Sequence, residues 1–270
     1  MSMSLLRAAI ESVGVLGPGL PDWPTTAGVL RGSSPWERAP TVLPQPLALP
    51  GAERRRTGAV VRLTLAVGLE ATVRANIDPA KLPTVFSSSS GDGQNCHEIC
   101  VTLASADRQL SPTRFHNSVH NAPAGYWGIA TGATAAANSL CAHDASFGAG
   151  LLEALCQVNV ERTRVLLIAY DASYPQPMHS VRPIPDAFAV ALLLAPAHAS
   201  AALAHIELSF CDAPADQLDD AALEQLRAAV PAARSLSLLA RLARGSCGCV
   251  CIDYLDGKRI ALEVSHAAGS

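Results

Sequence analysis

Between residues 57 and 76, apolar side chains recur at Val60, Leu63, Leu65, Val67, Leu69 and Val73. That spacing predicts a helix buried over much of its surface, ending near Asn76-Ile77-Asp78-Pro79. Shorter apolar runs follow at Pro83–Ser87, Ala135–Leu140, Val165–Ala169 and Ala187–Leu194, and these read as strands. The last two are wholly apolar, as strands of a parallel sheet covered on both faces are. Helices are predicted over about 95–106, 122–131 and 145–156, the third with small residues on its packing face. The tail gives a strand at 204–210, helices at 219–229 and 231–244, and a hairpin. In that hairpin 247–254 and 258–264 flank Leu255-Asp256-Gly257, a tight-turn signal. Strands alternating with helices predict an α/β fold.

Upstream the pattern breaks. Residues 17–51 carry Gly17-Pro18-Gly19 and then Pro21, Pro24, Pro35, Pro40, Pro44, Pro46 and Pro50. Proline at that density argues against regular helix or central strand and predicts an extended arm wrapping the domain, docked by Trp23 and Trp36. The expected organisation is a single domain over 1–270. It has an arm at 1–53, a core at 54–196 and a smaller C-terminal part with the hairpin at 197–270.

Composition narrows the function classes. Of 270 residues, 49% are hydrophobic and 16% charged, against roughly 25% charged in an average soluble domain. A surface so poor in charge favours a large partner interface. A net charge of −3 gives no reason to expect nucleic acid as a partner. Met1–Leu20 lacks a sustained apolar segment, and the run Ala187–Ala195 is far too short to span a bilayer, so no membrane insertion is expected. The eight cysteines follow no disulfide-scaffold spacing, which points to reduced thiols and a cytoplasmic location.

The stretch that carries chemistry runs Val119–Gly132, then 135–155, then Val165–Ala169. It reads as helix, strand, tight turn, buried helix, strand. A side chain on the turn at 142–145 sits at a helix N-terminus at the head of a sheet, where backbone N–H groups favour an anion. Nucleophilic cysteines use such positions. Here the turn carries Asp144, a good helix N-cap. Cys141, three residues earlier on the strand, is expected to be a buried structural cysteine, with a nucleophilic role as the alternative. His143 beside Asp144 suggests a Cys-His-Asp set, but sequence neighbours on a turn point apart. Cys96-His97-x-x-Cys100 and Cys247-x-Cys249-x-Cys251 lack zinc-knuckle spacing and are expected to be buried structural cysteines, so no metal is predicted. Ser87–Gly93 lacks the Gly-Lys-Ser/Thr ending of a phosphate loop and reads as a strand-to-helix turn.

These segments resemble the β-ketoacyl synthases of the thiolase superfamily. In that family an Asn-Ala-x-Ala-Gly-His type helix precedes a strand ending in Thr-Ala-Cys, followed by a small-residue helix and an Ala-x-x-x-x-Gly-Gly strand. Asn121-Ala122-Pro123-Ala124-Gly125 matches the first motif, and ungapped counting from Gly125 puts the family's cysteine at Asp144. Counting on from Asp144 places the next strand at Val165–Ala169. Val13–Gly17, Arg54-Arg55-Arg56 and Phe86–Asp92 resemble the N-terminal landmarks. Ala187–Leu194 resembles a Gly-Glu-Gly-Ala-type strand without its glycines. The resemblance covers roughly 10–196 and implies a thiolase-like fold with a mostly parallel sheet covered by helices, its second half truncated.

Three departures bear on function. Asp144 cannot accept an acyl group as a thiolate does. The family's two later histidines have no counterpart, His198, His205 and His266 standing in unrelated contexts. The chain is also shorter than a full synthase. The runs Asn117–Trp127 and Asp144–Ala154 are similar to the short ketosynthase-like proteins of bacterial aryl-polyene clusters. The resemblance therefore implies a non-catalytic, chain-length-factor-like subunit of a heteromeric β-ketoacyl-carrier-protein synthase. Its partners would be a catalytic ketosynthase and an acyl carrier protein, with no cofactor. By the same analogy Arg114, Phe115, His116, Asn117, Asn121 and Phe147 would contact the acyl tunnel or the interface. The alternatives are a short acyltransferase using Cys141 and a stand-alone acyl-binding or scaffold protein.

Overall fold

The computed structural model describes residues 6–266. Its centre is one eight-stranded sheet built from β1 (Leu6–Leu16), β2 (Thr84–Ser87), β3 (Ala137–Leu140), β4 (Val165–Asp171), β5 (Phe188–Ala195), β6 (Ala204–Cys211), β7 (Gly248–Asp253) and β8 (Arg259–Ser265). The strand order is β3-β2-β4-β5-β1-β6-β8-β7. The helices are α1 (Trp23–Arg31), α2 (Gly51–Arg54), α3 (Ala59–Ala75), α4 (Gly93–Ala104), α5 (Pro112–His116), α6 (Ala122–Thr131), α7 (Ser146–Glu161), α8 (Met178–Val181), α9 (Ala221–Ala229) and α10 (Leu236–Arg244).

Every residue of β4 and β5 is buried, because each face of the sheet carries its own helical layer. Successive side chains alternate between the layers. Leu166, Ile168, Ala189, Ala191 and Leu193 pack with Val61, Leu63, Leu65 and Val67 of α3 and with Trp127 of α6. Val165, Leu167, Val190 and Leu192 pack on the opposite face with Phe147, Leu151 and Leu155 of α7 and with Leu238, Leu239 and Leu242 of α10. This two-sided cover is the reason both strands read as unbroken apolar runs.

The α/β class is as expected, but the sheet is mixed rather than mostly parallel. Parallel pairing is confined to β3-β2-β4, and the remaining pairs are antiparallel. Connection length explains the split. The β2-to-β3 and β3-to-β4 links contain helices long enough for a crossover, whereas only the four-residue α8 lies between β4 and β5.

The arm expected over 1–53 also needs correction. β1 is a central strand between β5 and β6, and α1 is a regular helix. Pro24 lies in the first turn of α1, where no backbone donor is needed, Asp22 accepts from the Thr25 N–H at 2.8 Å, and Gly32 closes the helix at φ 76°. Proline here marks a helix start. Trp23 is buried and the Trp36 indole donates to the Pro18 carbonyl at 2.9 Å. Within the described part of this segment, the longest irregular stretch is residues 33–50. At the other boundary, α7 runs to Glu161, five residues past the predicted end.

Candidate functional site at the turn between β3 and α7

The C-terminal ends of the three parallel strands converge on one place, the usual position for sites in α/β sheets. β3 delivers Cys141–Ala145, β2 delivers Ser87–Ser90 and β4 ends in Asp171. His143 on the turn has φ 50°, a left-handed conformation costly for a residue with a Cβ. Ser146 holds the turn locally. Its hydroxyl accepts from Ala142 N at 3.0 Å and donates to the His143 carbonyl at 2.7 Å. The Ser87 hydroxyl donates to the Ser146 carbonyl, fastening the start of α7 to β2.

Asp144 projects from this turn into a pair of arginines. Its Oδ1 lies 2.5 Å from Nη2 of Arg182, in the loop between β4 and β5. Its Oδ2 lies 3.2 Å from Nη2 of Arg234, in the 3₁₀ turn Pro231–Ser235 before α10. The capping role expected for Asp144 is not observed, since the first turn of α7 has no side-chain cap. Two guanidiniums are stronger partners than one backbone N–H.

The ion pairs extend further. Asp253 Oδ2 is 2.8 Å from Arg227 Nη1 and 4.0 Å from Arg234 Nε, and its Oδ1 is 3.7 Å from Arg259 Nε. Arg227 in turn makes a bidentate pair with Glu224, both contacts at 2.8 Å, which holds the Glu224 carboxyl below its usual range. Behind the turn Asp171 is fully buried. It accepts from Ser89 N at 2.9 Å, Ser89 Oγ at 2.6 Å and Ala232 N at 2.8 Å. Desolvation raises its carboxyl to about 6, and the hydrogen bonds from Ser89 and Ala232 oppose that rise.

Cys141 is exposed rather than buried, and its thiol donates to the Ser89 carbonyl at 3.0 Å. Among the described residues no imidazole hydrogen-bonds it. His143 Nδ1 faces Asp144 Oδ1 at 3.6 Å, and His120 Nε2 lies 3.0 Å from the Leu140 carbonyl. Among the described residues, then, no base is hydrogen-bonded to this thiol. The other expected buried thiols are corrected as well. Cys96, Cys100, Cys247 and Cys249 are exposed, and half-buried Cys251 lies 3.7 Å from Cys211, Sγ to Sγ. The cause is missing cover. α4 buries only Gly93 and Asn95. On β7 the buried core positions are Val250 and Ile252, so Cys249 and Cys251 alternate onto the opposite face.

The interface candidates separate into four groups. Arg114, Phe115 and His116 are exposed on α5. Arg114 pairs with Glu98, His116 lies edge-on to Tyr126, and Phe115 is 67% exposed. Asn117 is buried beneath them, donating to the Arg56 carbonyl at 2.7 Å and accepting from the Tyr126 hydroxyl at 3.1 Å. Asn121 stays exposed just before α6 and makes no cap bond. Phe147 lies in the hydrophobic core under α7, so it is not a surface contact of this chain. Sequence reasoning passed over Arg182, Arg234, Asp253 and Asp171. Only Asp171 carried a signal, a carboxylate closing a buried apolar strand.

A family model described as "Beta-ketoacyl synthase, N-terminal domain" matches residues 32–253. The chain belongs to this β-ketoacyl synthase family. No curated protein matches it. Among solved structures, this synthase-family chain is similar to a chain in "Ketosynthase (ApeO) in Complex with its Chain Length Factor (ApeC) from Xenorhabdus doucetiae". The TM-score is 0.73 at 23% identity, covering 96% of this chain and 99% of that one. It is also similar to a chain of the ishigamide ketosynthase/chain length factor, with TM-score 0.73, 14% identity and coverage of 97% and 100%. A third likeness is to a chain of AntDE:AntF, a type II PKS acyl-carrier protein in complex with its ketosynthase bound to the hexaketide. There the TM-score is 0.77 at 11% identity, with coverage of 98% and 100%. At these identities the likeness is one of fold.

Proposed function

We propose that this chain is a non-catalytic subunit of a heteromeric β-ketoacyl-carrier-protein synthase, paired with a catalytic ketosynthase whose product length it helps to set. Aryl-polyene biosynthesis is the setting the sequence resemblance points to. One observation carries the reading: Asp144, the residue that ungapped counting aligns with the family's cysteine, is engaged by Arg182 and Arg234. A carboxylate held by two cations is a poor nucleophile toward a thioester. At Cys141 the thiol donates to the Ser89 carbonyl, and among the described residues no imidazole bonds to it.

The surface supports a partner chain on the same side. β3 is the terminal strand of the sheet and pairs with β2 alone, so its outer edge offers free backbone groups. At the opposite margin Asp216 bonds to both N and O of Cys251 and so covers part of the β7 edge. Exposed Phe115 and Val119 adjoin the segment leading to α6 and add apolar area. An acyl carrier protein would then deliver chains to the assembled pair.

Co-expression with a catalytic ketosynthase followed by gel filtration tests the proposal. A complex of the two chains that condenses acyl groups, with activity abolished by replacing the partner's cysteine and retained in Cys141→Ser, is the expected result. Two chains that elute separately at every concentration tried would sink it.

A further inference from the structure

Two oxygens of one carboxylate each meet a separate arginine at the Asp144 turn. Arg182 Nη2 takes Oδ1 at 2.5 Å and Arg234 Nη2 takes Oδ2 at 3.2 Å. The arginine side chains are largely desolvated, 23% and 16% exposed, while Asp144 is 46% exposed and its carboxylate is open to solvent exchange. Arg182 has no other ion-pair partner among the described residues. Arg234 has only Asp253 at 4.0 Å, with its Nε buried and making no hydrogen bond. Asp144 is the carboxylate the two arginines share, with Asp253 4.0 Å from Arg234 and Asp171 acting on Arg182 through space. The carboxylate depends on a turn strained at His143 for its position.

We infer that Arg182 and Arg234 form a carboxylate-binding site, which the chain fills with its own Asp144 as an internal ligand. The ligand class is the small carboxylate, since what the arginines hold is a planar anion on one methylene. Two guanidiniums, each giving one Nη2 to one oxygen, suit a planar anion. The three segments joined, the β3–α7 turn, the β4–β5 loop and the 3₁₀ turn before α10, close over the strand ends. Asp144 is a positioning residue for that closure. The inference rests on the ion-pair geometry and stands or falls independently of the proposed partnership.

Removing the internal ligand should leave a vacancy that a free carboxylate can fill. In Asp144→Ala the two arginines lose their anion, and the full-length chain is expected to melt about 3 °C or more below the wild type. Sodium formate should restore at least half of that loss in a saturable manner, because a ligand bound only by the folded state stabilises it. Sodium chloride at equal ionic strength should not. Wild type and the double variant Asp144→Ala/Arg182→Gln should respond to formate no more than to chloride. Recovery that is equal in chloride, persists in the double variant or is absent overturns the inference. Should Asp144→Ala not fold, Asp144→Asn decides. Its amide fills the space without the charge, so it should melt below the wild type, and equal stability would count against a carboxylate site.

Discussion

Gly150 on α7 faces Ser87 on β2 so closely that a Cβ built on the glycine would lie 2.7 Å from the Ser87 Cβ and 2.9 Å from its Oγ. The same atom would stand 3.0 Å from Leu167 Cδ1. Two opposing effects therefore meet at this position. Glycine-to-alanine in an open helix gains about 1 kcal/mol from propensity, while overpacking a core contact costs about 1–3 kcal/mol. Because the Ser87 Cβ is fixed to the backbone, the contact should win. Gly150→Ala is expected to lose about 1 kcal/mol in urea unfolding, and Gly150→Val more. A stabilised Gly150→Ala chain would show that α7 is not seated on β2 as described.

Asp171 predicts a pH dependence. Its folded-state carboxyl is raised to about 6 from an ordinary 3.8, so the folded chain binds this proton more tightly than the unfolded chain does. Its contribution is present in full below the unfolded value and is lost as pH rises through about 6. Between about pH 5 and 7.5 the wild type should lose roughly 1 kcal/mol of stability relative to Asp171→Asn. Glu224 does not obscure this. Its carboxyl is lowered by Arg227, so its contribution is lost only as pH falls below the ordinary carboxylate range. Matching slopes for the two proteins would remove the assignment.

Phe115 separates association from folding. The side chain is exposed in this chain, so Phe115→Asp should leave the melting temperature of the isolated chain nearly unchanged. At an apolar partner interface the introduced charge is desolvated, and co-purification with a ketosynthase should fall at least tenfold, equivalent to about 1.4 kcal/mol. Undiminished co-purification would place the interface elsewhere.

Cys141 gives a chemical check. With its S–H donating to the Ser89 carbonyl and no imidazole bonded to it among the described residues, the thiol should not be acylated by acyl thioesters. Intact-mass measurement after incubation should show no adduct that disappears in Cys141→Ser. A stoichiometric adduct at this residue would restore the acyltransferase alternative.

Much of the fold was legible from local pattern. The 59–75 helix, the apolar strands at β4 and β5 and the C-terminal hairpin follow from residue spacing, because helix and strand periodicities depend on near neighbours in the chain. The same spacing placed Asp144 on the turn at the head of the sheet. Proline misled at α1, since its density signals irregular chain unless one residue falls in the first turn behind a capping Asp22.

The sequence alone determined that Asp144 stands between β3 and α7, three residues beyond Cys141, and that buried strands and helices surround it. Only the tertiary structure decided what the carboxylate does. Arg182 comes from 38 residues away and Arg234 from another segment altogether. Their pairing with Asp144 depends on how loops close over the strand ends, which no local periodicity records. Exposure of the cysteines was decided in the same way, by which faces of α4 and β7 lack a covering layer.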